Sequence, residues 1–205
     1  MKVKNNNEEF VQRSFIFNDF ETKDNEEYNI EGHAAIFNSR TNIAQLFDEI
    51  IEPGAFDGCD LSDVSLFVNH RQDELPLARC KNGQGTMSIG VDSKGLYIRA
   101  KLDIENNQAA QSLYSAIRRK DVNGMSFSFR VKEQKWENMD SDMPLRRIQK
   151  ISKVSEVSAV TYPAYEATDI DSRSKKDYDD ALEEHRETYS DLELERLRAI
   201  TLLNL

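Results

Sequence analysis

Three histidines, two cysteines and a set of strand-like serines are the side chains of this chain best suited to attack a carbonyl or move a proton at neutral pH. Hydrolysis by serine needs a base for the hydroxyl proton, a third group to orient that base, and donors for the oxyanion. His33 lies mid-strand among Ala and Ile, and His185 lies in a charged tail. His70 closes the β-prone run Val64-Ser65-Leu66-Phe67-Val68-Asn69 and opens onto the polar Arg71-Gln72-Asp73-Glu74, which makes it the best placed base. Met125-Ser126-Phe127-Ser128-Phe129-Arg130-Val131 alternates large apolar with small or polar residues, so Ser126 and Ser128 share the face opposite Met125, Phe127, Phe129 and Val131. No G-x-S-x-G elbow singles out either serine. A lone histidine or strand serine is more often packed or solvated than catalytic, so position alone assigns no mechanism.

Cysteine chemistry is a weaker candidate. Cys59 sits in the turn-like Gly58-Cys59-Asp60, where acidic neighbours disfavour a thiolate. Cys59 and Cys80 have neither zinc-site spacing nor the density of a disulfide scaffold and are expected to be free thiols.

The elements that must position these groups are mostly short strands. Arg13 to Phe17 and Tyr28 to Phe37 read as paired strands joined by the polar segment Asn18 to Glu27. A Pro53-Gly54 turn follows Ile50-Ile51-Glu52, and Asp57 to Asp63 is too broken for a long helix. Further strands are predicted at Leu77 to Arg79, Met87 to Val91 and Gly95 to Leu102, the last two joined by an Asp92 to Gly95 hairpin turn. Ala110, Leu113, Ala116 and Ile117 recur at helical spacing, predicting a helix over 107–119 that Asn123-Gly124 ends. After a turn around 138–144, Arg146 to Lys150 leads into a β-rich segment from Val154 to Ala164, which contains Glu156. The expectation is an α+β, mainly β chain: an antiparallel or mixed barrel decorated by helices.

Composition shifts at the end of that core. Residues 1–170 read as one domain, and 171–205 as a charged link, Asp171 to Asp180, followed by a helix over Ala181 to Leu205. With 205 residues, 39% of them hydrophobic, the chain can bury a core of ordinary size. A net charge of -10 gives no support to direct nucleic-acid binding. No apolar run is long enough to span a bilayer, and the polar opening MKVKNNNEEF lacks the core of a signal peptide, so no membrane association and a cytoplasmic site are expected.

Five strings, taken in order, carry a resemblance. EGHAAIFN near the start, Ile51-Glu52-Pro53-Gly54-Ala55-Phe56, FVNHR at His70, GMSFSF at Ser126 and SEVSAVTYPAY around Glu156 together resemble the prohead maturation proteases of tailed phages, over roughly Arg13 to Ile170. Each string is short; their joint order is the signal. The resemblance implies a fold similar to the herpesvirus assemblins, a helix-surrounded β-barrel. It also implies that His70 is the general base and Ser126, first serine of the M-S-F motif, the nucleophile. Assemblins use a second histidine as third member, whereas the prohead enzymes use an acid, for which Glu156 is the candidate; its plain alternative is a strand-edge glutamate paired with Lys153 or an arginine. His185 is the rival third member. This chain has Ser128 where the family often has glycine, so Ser128 stands as a second candidate nucleophile or as a hydrogen-bonding neighbour. Arg146 and Arg147 are candidates to assist an oxyanion.

The implied activity is serine endopeptidase cleavage, without cofactor or metal, of the scaffolding segment of the major capsid protein and of the protease itself, inside the immature prohead in the host cytoplasm. Self-cleavage would fall in the 171–180 link, and the tail helix would bind scaffold or shell proteins or form a homodimer. A non-catalytic assembly or scaffolding protein on the same fold, and an esterase using the same pair, are the competing functions.

Overall fold

The computed structural model describes residues 2–4, 10–16, 19–24, 27–161 and 172–203. Thirteen strands and two helices run in the order β1 (Lys2–Lys4), β2 (Val11–Ile16), β3 (Glu21–Thr22), β4 (Ile30–Ile36), β5 (Thr41–Ile43), β6 (Phe47–Ile51), β7 (Asp63–Val68), β8 (Ala78–Lys81), β9 (Gln84–Gly85), β10 (Met87–Val91), β11 (Gly95–Ala100), α1 (Gln108–Arg118), β12 (Gly124–Glu137), β13 (Leu145–Val160) and α2 (Ser172–Leu203).

The strands form two sheets. In the larger, of nine strands, the long hairpin of β12 and β13 is the spine: β2 and β1 pair along the outer edge of β12, while β7 and β6 run parallel to β13 on its other side, followed by β8 and β9 beyond β7. The smaller sheet has the order β10-β11-β4-β3. Their inner faces meet in one core, to which Ile30, Ala34, Leu96 and Ile98 contribute from the smaller sheet and Leu66, Phe127, Phe129, Val154 and Val157 from the larger. Close approach of β11 to β4 depends on Gly95, where a Cβ would stand 1.9 Å from the Ala35 carbonyl oxygen.

Helix α1 forms where the apolar spacing predicts it. Asn107 caps it by accepting the N–H groups of Ala109 and Ala110, and Ala110, Leu113 and Ile117 enter the core. No helix, among the described residues, is long and apolar enough to cross a membrane.

Four expectations change. Among the described residues no ladder closes either sheet into a barrel; two packed sheets stand in its place. β2 and β4 are not partners: β2 pairs with β12, and β4 with β11 and β3, so that Val11 of β2 and Ile30, Ala34 and Ala35 of β4 reach the common core from different sheets. The two segments expected at 146–150 and 154–164 form one strand as far as Val160, its polar stretch around Ser152, Lys153 and Ser155 absorbed by register shifts against β12. The predicted link is helical from Ser172, since Ser174 and Asp177 are buried against the larger sheet, where they meet arginines. Pro163, Ala164 and Ile170 lie outside the described residues.

Candidate active site

The site is assembled on three adjacent strands, β12, β13 and β7. Ser126 and Ser128 lie opposite Ser158 and Glu156 across the β12–β13 ladder, and the same two residues of β13 pair on their other side with Phe67 and Ser65 of β7. Paired residues project to one side of a sheet, so the four polar side chains form a cluster. The opposite face carries Met125, Phe127 and Phe129, all fully buried. Phe127 stacks on Phe129 and meets Phe56, which the Pro53-Gly54 turn delivers to the core behind the serine strand. Alternation in β12 is therefore as predicted, but its polar face is closed as well: Ser126 is 0% and Ser128 1% exposed.

His70 stands just beyond β7. Asn69 and His70 are both in the left-handed region, with φ of 49° and 57°, a conformation that asparagine and histidine enter more readily than most residues. Three contacts hold the turn: Asn69 N–H donates to the Ala159 carbonyl at 3.0 Å, the Asn69 amide donates to Thr161 Oγ1 at 3.2 Å, and its oxygen accepts Thr161 N–H at 3.0 Å. The asparagine of the FVNHR string thus fastens the end of β7 to the end of β13.

The imidazole Nδ1–H of His70 donates to Glu156 Oε1. Glu156 is 1% exposed and carries two further donors: Ser128 Oγ to Oε1 at 2.8 Å and Ser158 Oγ to Oε2 at 3.1 Å. Ser158 Oγ in turn accepts the His70 backbone N–H at 3.2 Å. With Nδ1 committed as donor, Nε2 of a neutral His70 is the proton acceptor, and it has no hydrogen-bond partner among the described residues. Ser126 Oγ donates to the Arg13 carbonyl of β2 at 2.8 Å and is not hydrogen-bonded to His70. Beside Glu156, a cavity of about 330 Å³ is lined by Asp63, Ser65, Phe67, Gln72, Arg79, Lys153 and Ser155.

The remaining candidates are placed elsewhere. Lys153 pairs with Asp60 at 3.0 Å rather than with Glu156. His185 faces Asp140 and Tyr189 on α2, and both ring nitrogens of His33 meet carboxylates, Asp19 at 2.8 Å and Asp92 at 3.1 Å. Arg146 is fully buried against Gln134, Glu49 and Asp177, and Arg147 bonds Glu137 and Glu52, so neither arginine is an oxyanion group in this structure. Burial, then the Asp60 charge, pushes the Cys59 thiol up to about 12. Cys59 and Cys80 are free thiols. Ser158 was not legible beforehand: nothing local marks a serine two residues after a strand glutamate, and only the ladder reveals its neighbours.

A buried carboxylate thus bonds an imidazole beside serines on the neighbouring strand, on a mainly β, α+β fold. The family model of the Caudovirus prohead serine protease matches residues 17–183, and the chain belongs to that family. Membership places it among the capsid maturation proteases of tailed phages, proteins that deal with capsid proteins. Neither the curated proteins nor the solved structures contain a match.

Proposed function

We propose that the chain is a serine endopeptidase with Ser126 as nucleophile, His70 as general base and Glu156 as the group that orients it. The observation carrying this reading is the His70–Glu156 pair, which fixes Nδ1 as donor and leaves Nε2 as acceptor, next to the strand bearing Ser126. In the reaction the Ser126 hydroxyl leaves the Arg13 carbonyl, gives its proton to Nε2 and attacks the peptide carbonyl. The imidazolium then protonates the leaving amine, and water, activated by the same nitrogen, hydrolyses the acyl-enzyme. Glu156 stabilises the imidazolium throughout, its carboxylate accepting the hydroxyls of Ser128 and Ser158. Ser126 is preferred to Ser128 as the first serine of the M-S-F motif; in this structure the proton of Ser128 is bonded to the Glu156 carboxylate and that of Ser126 to the Arg13 carbonyl.

The substrates proposed are the scaffolding segment of the major capsid protein and the protease itself, cut inside the immature prohead in the host cytoplasm, with self-association as a homodimer the further partnership. Self-cleavage in 172–180 requires the start of α2 to unwind, since an endopeptidase takes an extended chain. A second reading, a non-catalytic assembly protein on the same fold, is favoured by the closed Ser126 and its bond to Arg13. Co-expression with the major capsid protein separates the two. The native chain should remove the scaffolding segment and trim its own termini, and Ser126→Ala at equal abundance should do neither. Processing that persists in Ser126→Ala would end the Ser126 assignment, and no processing by either chain would favour the assembly protein.

A further inference from the structure

The polar face of β13 holds one side chain to which no step of the reaction has been given. Ser158 is 0% exposed, lies across the ladder from Ser126, and uses its hydroxyl twice, accepting His70 N–H at 3.2 Å and donating to Glu156 Oε2 at 3.1 Å. A hydroxyl has one proton and can accept as well as donate. Here the two capacities run in one direction, from the base's backbone through Ser158 to the base's carboxylate partner. Among the described residues no other residue bonds both the main chain of His70 and the carboxylate of Glu156.

The main-chain contact matters because His70 is in the left-handed region, which costs energy for any residue with a Cβ. The two bonds that fasten the preceding Asn69 side chain act on that residue and Thr161, whereas the Ser158 bond acts on His70 itself. The carboxylate contact matters because Oε1 already receives Ser128 and the imidazole, so Ser158 is what fixes the other oxygen and the plane of the group.

On the proposed assignment of base and carboxylate, we infer that Ser158 is a positioning residue of the protease, one hydroxyl that sets the His70 backbone and the Glu156 carboxylate together and so aims the imidazole. Loss of the partners that orient metal-bound histidines costs about 10- to 100-fold in affinity or activity, and a loss of that size is expected for a partner that orients a base. Threonine keeps the hydroxyl and suits a strand.

Two measurements on the full chain test this. The first is the rate at which a fluorophosphonate labels the nucleophile in the native chain, Ser158→Ala, Ser158→Thr and Ser126→Ala. Ser158→Ala should fold with a thermal midpoint lowered by a few degrees and label about 10- to 100-fold more slowly per folded molecule, Ser158→Thr should recover most of the rate, and Ser126→Ala should not label. The second is the proton NMR signal of His70 Nδ1–H, identified by its loss in Glu156→Gln; it should persist in Ser126→Ala and vanish in Ser158→Ala. Native-rate labelling of Ser158→Ala, or a retained Nδ1–H signal in it, overturns the inference, as does a folded Ser158→Thr no faster than Ser158→Ala. Labelling of Ser126→Ala, or none of the native chain, overturns instead the assignment on which the inference rests, and the NMR signal then decides Ser158 alone.

Discussion

Two polar clusters are buried on the larger sheet, and they differ in how completely their hydrogen-bonding capacity is used. In the first, Arg146 donates to Gln134, Glu49 and Asp177, while Arg13 donates to Glu49, Ser174 and the Gln12 carbonyl. Among the described residues two arginines face two acids. The second holds Glu156, Ser128, Ser158 and His70; three donors converge on the carboxylate, and His70 Nε2 is left over. The saturated cluster ties α2 and β2 to the sheet, and it has no group to spare for a substrate. The unsaturated one keeps a ring nitrogen available beside a serine strand. On the proposed assignment, buried polarity serves structure in one place and chemistry in the other, and the unspent ring nitrogen is the distinguishing feature. The clusters meet at Arg13, whose guanidinium belongs to the first and whose carbonyl holds the Ser126 hydroxyl.

The comparison is broken most directly at the chemical cluster. Ser126→Ala should lower scaffold processing by about 10⁶-fold while leaving the folded state intact, because a hydroxyl is removed and no charge is stranded. Ser128→Ala is the companion, and abolition of processing by that variant but not by Ser126→Ala would transfer the nucleophile to Ser128. Glu156→Gln should rank next. Its amide can still pack, but it can present an N–H to His70 Nδ1 and stabilise the wrong tautomer, a change that costs about 10⁴-fold in the best-known triad. Measured as initial cleavage rate against pH, the loss should persist across neutral and mildly alkaline conditions; full recovery at alkaline pH would place Glu156 outside the reaction.

How much of this was legible beforehand follows from where each signal sits. Period-2 alternation located the apolar face of β12, and helical spacing located α1, because both signals are local. The order of short strings brought His70, Ser126 and Glu156 to attention, and the ladder places Ser126 and Glu156 on one face of adjacent strands, with His70 bonded to Glu156. What escaped was non-local. Glu49 lies 36 positions from Arg13 and 97 from Arg146, and no window of sequence joins them. The start of α2 reads as a charged link because Ser174 and Asp177 gain their burial from partners on distant strands. Ser158 is an ordinary strand serine until its neighbours across two ladders are known.

The saturated cluster gives the next effect, on stability rather than rate. Arg146→Met removes a cation that is 0% exposed and leaves Glu49 and Asp177 partly uncompensated, a change that costs about 3–5 kcal/mol when one member of a buried pair is lost. Denaturant unfolding should show the fall, and the cleavage rate per folded molecule should stay near native. A rate that falls while stability holds would mean that the two clusters are coupled through Arg13 more tightly than their separate bonding suggests.

The smallest effect belongs to a nucleophile that has neither kind of cluster around it. Cys59 is half-buried and its thiol stands at about 12, raised first by burial and then by Asp60. Burial and a neighbouring negative charge both penalise the thiolate, so the shift runs upward, opposite to that of a catalytic cysteine. At pH 8, four units below that value, roughly one molecule in 10⁴ carries the anion, against about one in four for an ordinary thiol. Iodoacetamide should accordingly modify Cys59 of the folded chain slowly at pH 8, with the rate still climbing about tenfold per unit as pH rises toward 10. Cys59→Ser should leave processing unchanged. Fast alkylation that plateaus near neutral pH would reveal a stabilised thiolate, and loss of processing in Cys59→Ser would move the chemistry from the polar face of β12 and β13 to the turn after Phe56.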